Sequence, residues 1–265
     1  TRTTSYFDNS ELASSGLPGA EELRLLEPLR GQIPDEVFTQ PFTLPRTNAD
    51  GMTRDQQRRA YELLTDVGWK IENDRMVDTE GKPVKLEFLL VQADFERVLL
   101  PYKRNLAGLG IDLEIRRVDV SQYINRLRSR DYDMIVSGFG QSSSPGNEQR
   151  EYWHSASADN PGSRNFIGLK SPAIDTLVEK LIAADSRDEL ITRTRALDRV
   201  LLWGYYVIPN WHIKTWRVAY WDHIGHPKVA PKYDIGVNTW WIKPGAKPAV
   251  EPTPDNQAAP AEAVY

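Results

Sequence analysis

Residues 111–137 decide the fold; they read IDLEIRRVDVSQYINRLRSRDYDMIVS. At the start of this stretch, Ile111, Leu113 and Ile115 alternate with charged residues, a pattern that is typical of a half-buried strand. Residues 123–127 then carry apolar side chains at helical spacing, and the apolar run 132–137 predicts a second strand. A strand, a helix and a strand in this order predict a βαβ unit of an α/β domain.

The flanking residues extend the same pattern. Upstream, residues 53–67 predict a helix capped by Thr53, and residues 75–77 and 84–91 predict the two arms of a hairpin. Residues 94–109 predict a further helix, which Pro101 should bend or shorten. Downstream, residues 172–184 and 187–202 predict two more helices. We therefore predict an α/β fold.

The two ends of the chain differ in composition from its middle. Residues 1–50 are rich in glycine and proline and predict one short helix, at 18–29, within an extended segment that must lie across another element. Residues 244–265 contain five prolines and six alanines without apolar periodicity. We predict that this last stretch is a disordered tail.

Composition limits the possible partners. The chain has 265 residues, with 33 Lys and Arg against 37 Asp and Glu, a formal net charge of −4, and no cysteine. This slightly acidic balance argues against nucleic acid as a partner. No apolar run approaches the length of a membrane-spanning helix, so we predict no membrane insertion. The lack of cysteine excludes a disulfide scaffold and a thiol nucleophile.

Motifs of catalysis and cofactor binding do not occur: the sequence has no G-x-S-x-G, H-E-x-x-H, G-x-x-x-x-G-K-[ST] or G-x-G-x-x-G. His223 and His226 have the spacing of two metal ligands on a helix, but the neighbouring Gly225 and Pro227 favour a surface loop. Asp131 and Asp133 could form an acid–base pair or simply join a helix to a strand. We predict that the protein is not an enzyme and has no cofactor or metal.

A polar loop follows the last predicted strand. Residues 138–150 read GFGQSSSPGNEQR and offer many hydrogen-bond donors and acceptors within a short span. Such a loop can be an ordinary solvent-facing connection. Ligands, however, bind in open α/β sheets at the carboxyl ends of strands, and this position favours a ligand-binding role.

Aromatic residues are concentrated further along the chain. Ten of them fall between Trp203 and Trp241. Trp211, His212 and Trp216 are predicted to lie in one strand, so that Trp211 faces opposite to the other two. One face then belongs to the core and the other could line a cleft. Stacking on nucleic-acid bases is the less favoured role, because no basic patch accompanies these residues.

Several of these stretches resemble one protein family. Residues 5–13 (SYFDNSELA), the loop at 138–150 and residues 161–165 (PGSRN) are similar to the Yej-type periplasmic oligopeptide-binding proteins. This group belongs to the family-5 extracellular solute-binding proteins of ABC importers. More general features of that family are also present at Gly68-Trp69, 132–134 and 171–175. The resemblance covers about residues 1–243.

The resemblance implies a periplasmic protein of two lobes that close over a peptide and deliver it to an inner-membrane ABC permease. It implies that this chain is about the carboxyl-terminal half of such a protein. Residues 1–205 would form most of lobe two, 206–243 would return into lobe one, and 244–265 would be the tail. The amino-terminal half would then be a partner, either in a second chain or missing from this one. The implied ligand is an oligopeptide, a muropeptide or a microcin C-like compound.

One position departs from the family pattern. Relatives that bind peptides hold the α-amino group with an aspartate in this loop, and the resemblance places that aspartate near Ser142. Because a charge-assisted bond is stronger than a neutral one, its absence implies other anchors or another ligand. The implied ligand-binding residues are Phe139, Gln141, Ser142, Ser143, Asn147, Arg150, Arg164, Asn165, Trp211, His212 and Trp216.

Two of these predictions have alternatives. Arg150 could bind a ligand carboxylate, or it could form a structural ion pair with Glu148 or Asp159. The chain as a whole could instead be a binding or chaperone-like module that docks on a membrane complex without importing a small ligand.

Overall fold

The computed structural model describes residues 1–47, 53–231 and 234–245. The chain forms two compact units: one runs from Arg2 to Trp211, and the other comprises Thr1 and the chain from His212 onward. Nearly all of the predicted tail, from residue 246 onward, lies outside the described residues.

The larger unit contains both helices and strands. Its helices are α1 (Ala20–Leu26), α2 (Glu36–Thr39), α3 (Arg54–Asp66), α4 (Glu96–Ala107), α5 (Val120–Ser129), α6 (Glu148–Trp153), α7 (Pro172–Ile182) and α8 (Arg187–Trp203). Its strands are β1 (Lys70–Glu72), β2 (Arg75–Val77), β3 (Lys85–Leu90), β4 (Asp112–Arg117) and β5 (Met134–Ile135).

Three strands form the predicted parallel sheet, in the order β4-β3-β5. Helices α4 and α5 make the two crossovers, which confirms the α/β class. Leu86 pairs with Leu113 and Phe88 with Ile115, so the apolar side chains of the two strands share a face. Strand β5 is much shorter than the predicted 132–137 and lies at the edge of the sheet.

The sheet and its helices bury two small apolar clusters. One contains Phe88, Leu90, Leu99 and Leu113, and the other contains Met76, Leu109 and Ile111. Helix α4 continues through Pro101, so this proline lies inside the helix and does not end it. Gly110 then turns the chain with φ +75°, and a Cβ atom there would lie 2.6 Å from the Met76 backbone nitrogen. We refer to residues 53–137 as the sheet body.

The remaining helices form a second, better-filled layer. Helices α1, α2, α6, α7 and α8 enclose a continuous apolar core, with Trp153, Leu177 and Leu197 among its most deeply buried side chains. We refer to residues 2–47 together with 148–203 as the helical body. The amino-terminal segment crosses this core, as the sequence predicts for 1–50.

Asp198 on α8 fixes the amino-terminal segment to the helical body. Its carboxylate is fully buried and accepts hydrogen bonds from the Ser5 hydroxyl (2.9 Å), the Tyr6 backbone N–H (2.9 Å) and the Ser14 hydroxyl (2.6 Å). Burial raises the pKa of the Asp198 carboxyl, and the hydrogen bonds from Ser14, Ser5 and Tyr6 oppose that shift. The amino-terminal segment, which also buries the Phe7 and Leu12 side chains, is thus fixed by polar and apolar contacts together.

The next residue, Arg199, makes a second buried anchor. Its guanidinium donates to a Glu22 carboxylate oxygen at 2.9 Å and to the backbone carbonyl of Gly16 at 2.6 Å. The Arg199 and Glu22 side chains are only 2% and 11% exposed. Because both charges are removed from water, each depends on the other for compensation.

One local prediction was met only in part and another was wrong. The predicted hairpin is present at its turn, where Val77 bridges Pro83 in antiparallel fashion and the Val84 backbone N–H donates to the Met76 carbonyl at 2.8 Å. Beyond the turn its arms separate, because β2 pairs along its length with β1 and β3 lies in the parallel sheet. The predicted strand through Trp211, His212 and Trp216 is reduced to one bridge between Arg2 and Trp211. The His212 backbone exchanges hydrogen bonds with Thr1, but residues 213–216 form no strand or bridge within the described chain. A strand needs a neighbour to satisfy its backbone.

The smaller unit has little regular structure in its described part. Strands β6 (Ile224–Gly225) and β7 (Trp241–Ile242) pair in antiparallel fashion. The rings of Tyr220, His226 and Trp240 cluster with centroids 5.1–5.5 Å apart. No helix among the described residues of either unit is both long and apolar enough to cross a membrane.

Candidate functional site

The polar loop at 138–147 connects the two bodies of the larger unit. It leaves the sheet body after β5 and enters the helical body at α6. The Tyr152 hydroxyl donates to the Gly140 carbonyl at 3.1 Å, and the Arg187 guanidinium donates to the Ser143 carbonyl. Arg187 is also paired with Glu11 (Nε to Oε1, 2.8 Å). The loop is therefore held from the helical side at two points.

Arg164 lies at the beginning of this loop. Its guanidinium is 4.7 Å from the centre of the Tyr152 ring and donates to the Tyr152 hydroxyl at 2.8 Å. A second nitrogen approaches the Gly138 carbonyl at 3.4 Å. In the part of the chain that the structure describes, no carboxylate pairs with this exposed cation, which leaves its charge available to a ligand.

Phe139 and Gln141 point into the protein. Phe139 packs against the Trp153 ring at 4.5 Å and also contacts Tyr6. Gln141 accepts a hydrogen bond from Gln149 at 2.7 Å through its amide oxygen. Its amide nitrogen is buried and has no hydrogen-bond partner in the part of the chain that the structure describes. Both side chains thus form the support of the loop.

A cavity of about 540 Å³ lies beside the exposed edge of β5. Its walls are mostly apolar and come from α4, β5 and the irregular segment 205–210. Its lining residues are Phe88, Phe95, Val98, Leu99, Tyr102, Arg130, Tyr132, Asp133, Met134, Ile135, Val136, Ser137, Phe139, Phe166, Ile167, Tyr205, Tyr206, Val207, Ile208 and Asn210. Because Phe139 belongs to both, the cavity and the loop are continuous.

The two charged groups of this cavity and the Tyr132 hydroxyl, which donates to the Phe166 carbonyl at 2.9 Å, have local partners. Arg130 donates to the carbonyls of Asn165 (3.1 Å) and Asn160 (3.1 Å), and Asp133 accepts from the Glu87 backbone N–H (2.7 Å). Burial raises the pKa of Tyr132 to about 12, so this phenol stays protonated at neutral pH. The cavity therefore suits an apolar group.

Predicted residues further along the loop lie at its surface. Ser142 and Ser143 are exposed, and the Ser142 hydroxyl accepts from the Ser144 backbone N–H at 3.1 Å. Asn147 accepts from Arg150 at 2.7 Å. The Arg150 guanidinium binds both carboxylate oxygens of Glu179 at 2.6 Å. Arg150 thus has a structural ion pair, but with Glu179 instead of the two partners that the sequence suggested.

Asn165 is completely buried. Its amide nitrogen donates to the carbonyl of Leu169 at 3.0 Å, and its amide oxygen accepts from the Leu169 backbone N–H at 2.8 Å. Both ends of the amide are therefore used to close a turn of the chain. Asn165 thus fixes the local chain geometry, and its role as a ligand contact stays a prediction.

The three predicted aromatic-stretch residues are divided between the two units. Trp211 is 57% exposed and stacks on Phe95 at 6.1 Å, next to the cavity. His212 and Trp216 belong to the smaller unit, where the His212 backbone N–H donates to the Thr1 carbonyl at 2.9 Å.

Sequence reasoning missed the residues that hold the loop. Gln149 and Trp153 lie four residues apart on α6, and the Trp153 indole N–H donates to the Gln149 amide oxygen at 3.1 Å. This spacing was visible in the sequence as a pair on one helix face. Within the described ranges, no group of His, Asp and Glu side chains is arranged to hold a metal ion.

Comparison with known proteins identifies the family. Residues 31–161 match the model described as "Bacterial extracellular solute-binding proteins, family 5 Middle". The "Probable peptide-binding protein YejA" of Agrobacterium fabrum is 44% identical over 242 residues, which is 91% of this chain and 39% of that protein. The "Peptidoglycan-binding protein YepA" of the same organism is 36% identical over 241 residues, again 91% of this chain and 39% of the relative.

Solved structures agree with this assignment at the level of the fold. The oligopeptide-binding protein AppA from Bacillus subtilis, solved with a nonapeptide, has a TM-score of 0.57 at 16% identity and covers 84% of this chain and 45% of AppA. The chain spans about two fifths of the length of the curated relatives that it matches. From the family model and these relatives, the chain belongs to the family-5 bacterial extracellular solute-binding proteins and is of the Yej type.

Proposed function

We propose that this chain supplies one wall of the ligand site of a peptide-binding protein that serves an ABC importer in the periplasm. The observation that carries this proposal is the exposed guanidinium of Arg164, which has no carboxylate partner among the described residues and lies at Gly138, at the start of the loop whose Phe139 lines the apolar cavity. An arginine with this surrounding binds a carboxylate through charge-assisted hydrogen bonds. A peptide offers the matching chemistry, because it carries a carboxylate and apolar side chains on one short backbone.

The relatives support the same ligand class. One is named a probable peptide-binding protein, another a peptidoglycan-binding protein, and AppA was solved with a nonapeptide. A muropeptide combines these chemistries, since it carries several carboxylates on a peptide stem. Closure of a second lobe over the ligand, followed by delivery to an inner-membrane permease, completes the proposed cycle. The role is binding, without catalysis.

We propose a narrower site than the sequence suggested. Arg164 would bind the carboxylate, Gln141 and the loop backbone would bind polar groups, and Phe139 with Trp211 would border the apolar pocket. Arg150 and Asn165 would support the site from outside, because their polar atoms already have partners. His212 and Trp216 stay predictions as ligand contacts.

The test is calorimetric titration of the chain with Ala-Ala-Ala and with the stem tripeptide L-Ala-γ-D-Glu-diaminopimelate. Arg164→Met should weaken binding of either ligand about tenfold or more, because hydrogen bonds to charged groups are worth roughly 1.5–3 kcal/mol. Arg24→Met is the matched control, since Arg24 is 75% exposed on α1 and pairs only with Glu21. Equal affinities for the two variants would remove Arg164 from the site, and the absence of binding to the unaltered chain would contradict the function.

A further inference from the structure

The orientation of the Gln141 amide is fixed by a chain of three side chains. It begins at Trp153, whose indole N–H can only donate and is bonded to the Gln149 amide oxygen at 3.1 Å. The Gln149 amide nitrogen must therefore face the other way, where it donates to the Gln141 amide oxygen at 2.7 Å. In that arrangement the Gln141 amide nitrogen, at the end of this series of three side chains, makes no hydrogen bond with the described residues.

A second contact fixes the same orientation independently. The Gln149 amide nitrogen also lies 3.2 Å from a Glu148 carboxylate oxygen, which can only accept. If the Gln149 amide were rotated by a half turn, its oxygen would face the Glu148 carboxylate oxygen and its nitrogen would face the Trp153 indole N–H. Neither pair could form a hydrogen bond. Turning Gln141 over would oppose its amide nitrogen to that of Gln149. Because Gln149 and Trp153 are completely buried, water does not compensate for either reversal.

The free nitrogen is itself in an unfavourable state. It is buried, and no acceptor among the described residues forms a hydrogen bond with it. A buried N–H without a partner costs its full desolvation free energy, so an arriving acceptor recovers that cost. The neighbouring residues Ser142 and Ser143 are exposed. Contact between this nitrogen and a ligand therefore requires a movement of these exposed residues.

We infer that Gln141 is a specificity-determining residue that binds only hydrogen-bond acceptors of the ligand, a carboxylate or carbonyl oxygen, with Gln149 and Trp153 as its positioning residues. This inference rests on the proposed function and adds the polarity of one ligand contact. It is consistent with the position of Arg164, a cation joined to the Gly140 carbonyl through the Tyr152 hydroxyl. The nearby Glu148 carboxylate, which could attract a ligand ammonium group, already accepts from the Gly146 backbone N–H at 2.9 Å and from the Gln149 amide at 3.2 Å.

The experiment uses Gln141→Glu, which keeps the acceptor for Gln149 and replaces the free donor with a second acceptor. Gln32→Glu, at an exposed site on another segment, controls for the change of charge. The 265-residue chain and its variants are titrated with Ala-Ala-Ala and with N-acetyl-Ala-Ala-Ala. Relative to the Gln32→Glu control, Gln141→Glu should weaken binding of both peptides about tenfold or more. Acetylation of the amine should change little.

The sign of the effect separates the alternatives. If Gln141 binds the ligand ammonium group, Gln141→Glu should tighten binding of Ala-Ala-Ala, and that result overturns the inference, as does an unchanged affinity. Binding of neither peptide to the unaltered chain overturns the proposed function itself. Gln149→Met tests the positioning chain: its affinity should fall between those of the unaltered chain and Gln141→Glu. An affinity equal to that of the unaltered chain would remove Gln149 from the inference.

A spectroscopic measurement distinguishes this role from a purely structural one. The side-chain amide protons of Gln141 are assigned by their loss in the Gln141→Glu spectrum. On addition of Ala-Ala-Ala, these resonances should shift, whereas the Trp153 indole N–H, which already has its acceptor, should stay in place. Shifts at Trp153 without shifts at Gln141 would contradict the inference.

Discussion

The helical body and the sheet body lie in the same compact unit, but their interiors are built differently. In the helical body, seventeen described apolar residues form one continuous buried core, and the charged Asp198 and Arg199 are buried with them. In the sheet body, the buried apolar residues form separate clusters of four and three. Its main ion pair, between Arg126 and Glu87, keeps about a fifth of each side chain exposed.

This difference determines what each body can contribute to the site. The hydrogen bonds that orient the loop come from Tyr152, Gln149 and Arg187, all on helices of the well-packed body. The apolar cavity borders the two-residue edge strand β5 of the less tightly packed body. The polar groups that orient the loop thus belong to the body with the larger buried core, whereas the cavity borders the body with the two small clusters.

The largest expected effect is on the buried ion pair of the helical body. Arg199→Met should lower the free energy of unfolding by about 3–5 kcal/mol, because it leaves the Glu22 carboxylate buried without its partner. The double variant Arg199→Met/Glu22→Met should recover much of that loss. Urea unfolding followed by circular dichroism measures both.

The matched change in the sheet body is Arg126→Met. It removes a cation that pairs with Glu87 at 2.6 Å and with Asp131 at 2.8 Å, where solvent still reaches the groups. We expect a loss of about 1 kcal/mol or less. If the two arginine variants were equally destabilised, the contrast between the bodies would not hold.

The second prediction concerns pH and the other buried charge of the helical body. Because burial raises the pKa of the Asp198 carboxyl above its ordinary value of 3.8, the folded state holds this proton more tightly than the unfolded state. The corresponding stability is present below that value and is lost as the pH rises through the folded-state pKa. The advantage of the unaltered chain over Asp198→Asn should therefore shrink as the pH rises above 4.

Urea unfolding of both proteins at several pH values between 4 and 8 measures this trend. Asp131→Asn serves as the comparison in the sheet body, because Asp131 is 67% exposed. An advantage over Asp198→Asn that grows with pH would show that the four hydrogen bonds to Asp198 outweigh its burial.

In the sheet body, the sequence predicts which residues form strands better than it predicts which strands pair with each other. Alternation at Ile111, Leu113 and Ile115 is a local signal, and the strand is present in the structure. The hairpin prediction holds at the turn, where Val77 bridges Pro83, but not along the arms, because β2 pairs with β1 and β3 pairs with β4 and β5. Choice of partner is a long-range property that local periodicity does not contain.

In the candidate site, too, local features could be predicted from the sequence, whereas long-range contacts could not. The loop at 138–147 could be found from its position after an apolar strand, since that depends on neighbouring residues alone. The structural role of Asn165 and the Arg150–Glu179 pair could not, because the partners lie on segments brought close only by folding. The hydrogen-bonded series Trp153–Gln149–Gln141 is intermediate between these cases. The bond between Trp153 and Gln149 joins two residues of one helix and is local, whereas the bond between Gln149 and Gln141 depends on the loop conformation.

The smallest expected effects are at helix N-caps, where the two bodies should behave alike. Asp119 accepts from the Gln122 backbone N–H at 2.9 Å in the sheet body, and Ser186 accepts from the Glu189 backbone N–H at 3.3 Å in the helical body. Replacement of either by alanine should cost about 1 kcal/mol, because a cap acts on its own helix, whatever core lies beneath.

Thr53, which the sequence predicts as a cap of the same kind, should be nearly neutral. Its backbone has φ −116° and ψ 10°, outside the extended region, and its side chain makes no capping hydrogen bond. We expect Thr53→Ala to cost less than about 0.5 kcal/mol in urea unfolding. A cost at Ser186 several times that at Asp119 would mean that capping is coupled to the core. The contrast between the bodies would then extend from packing to local structure.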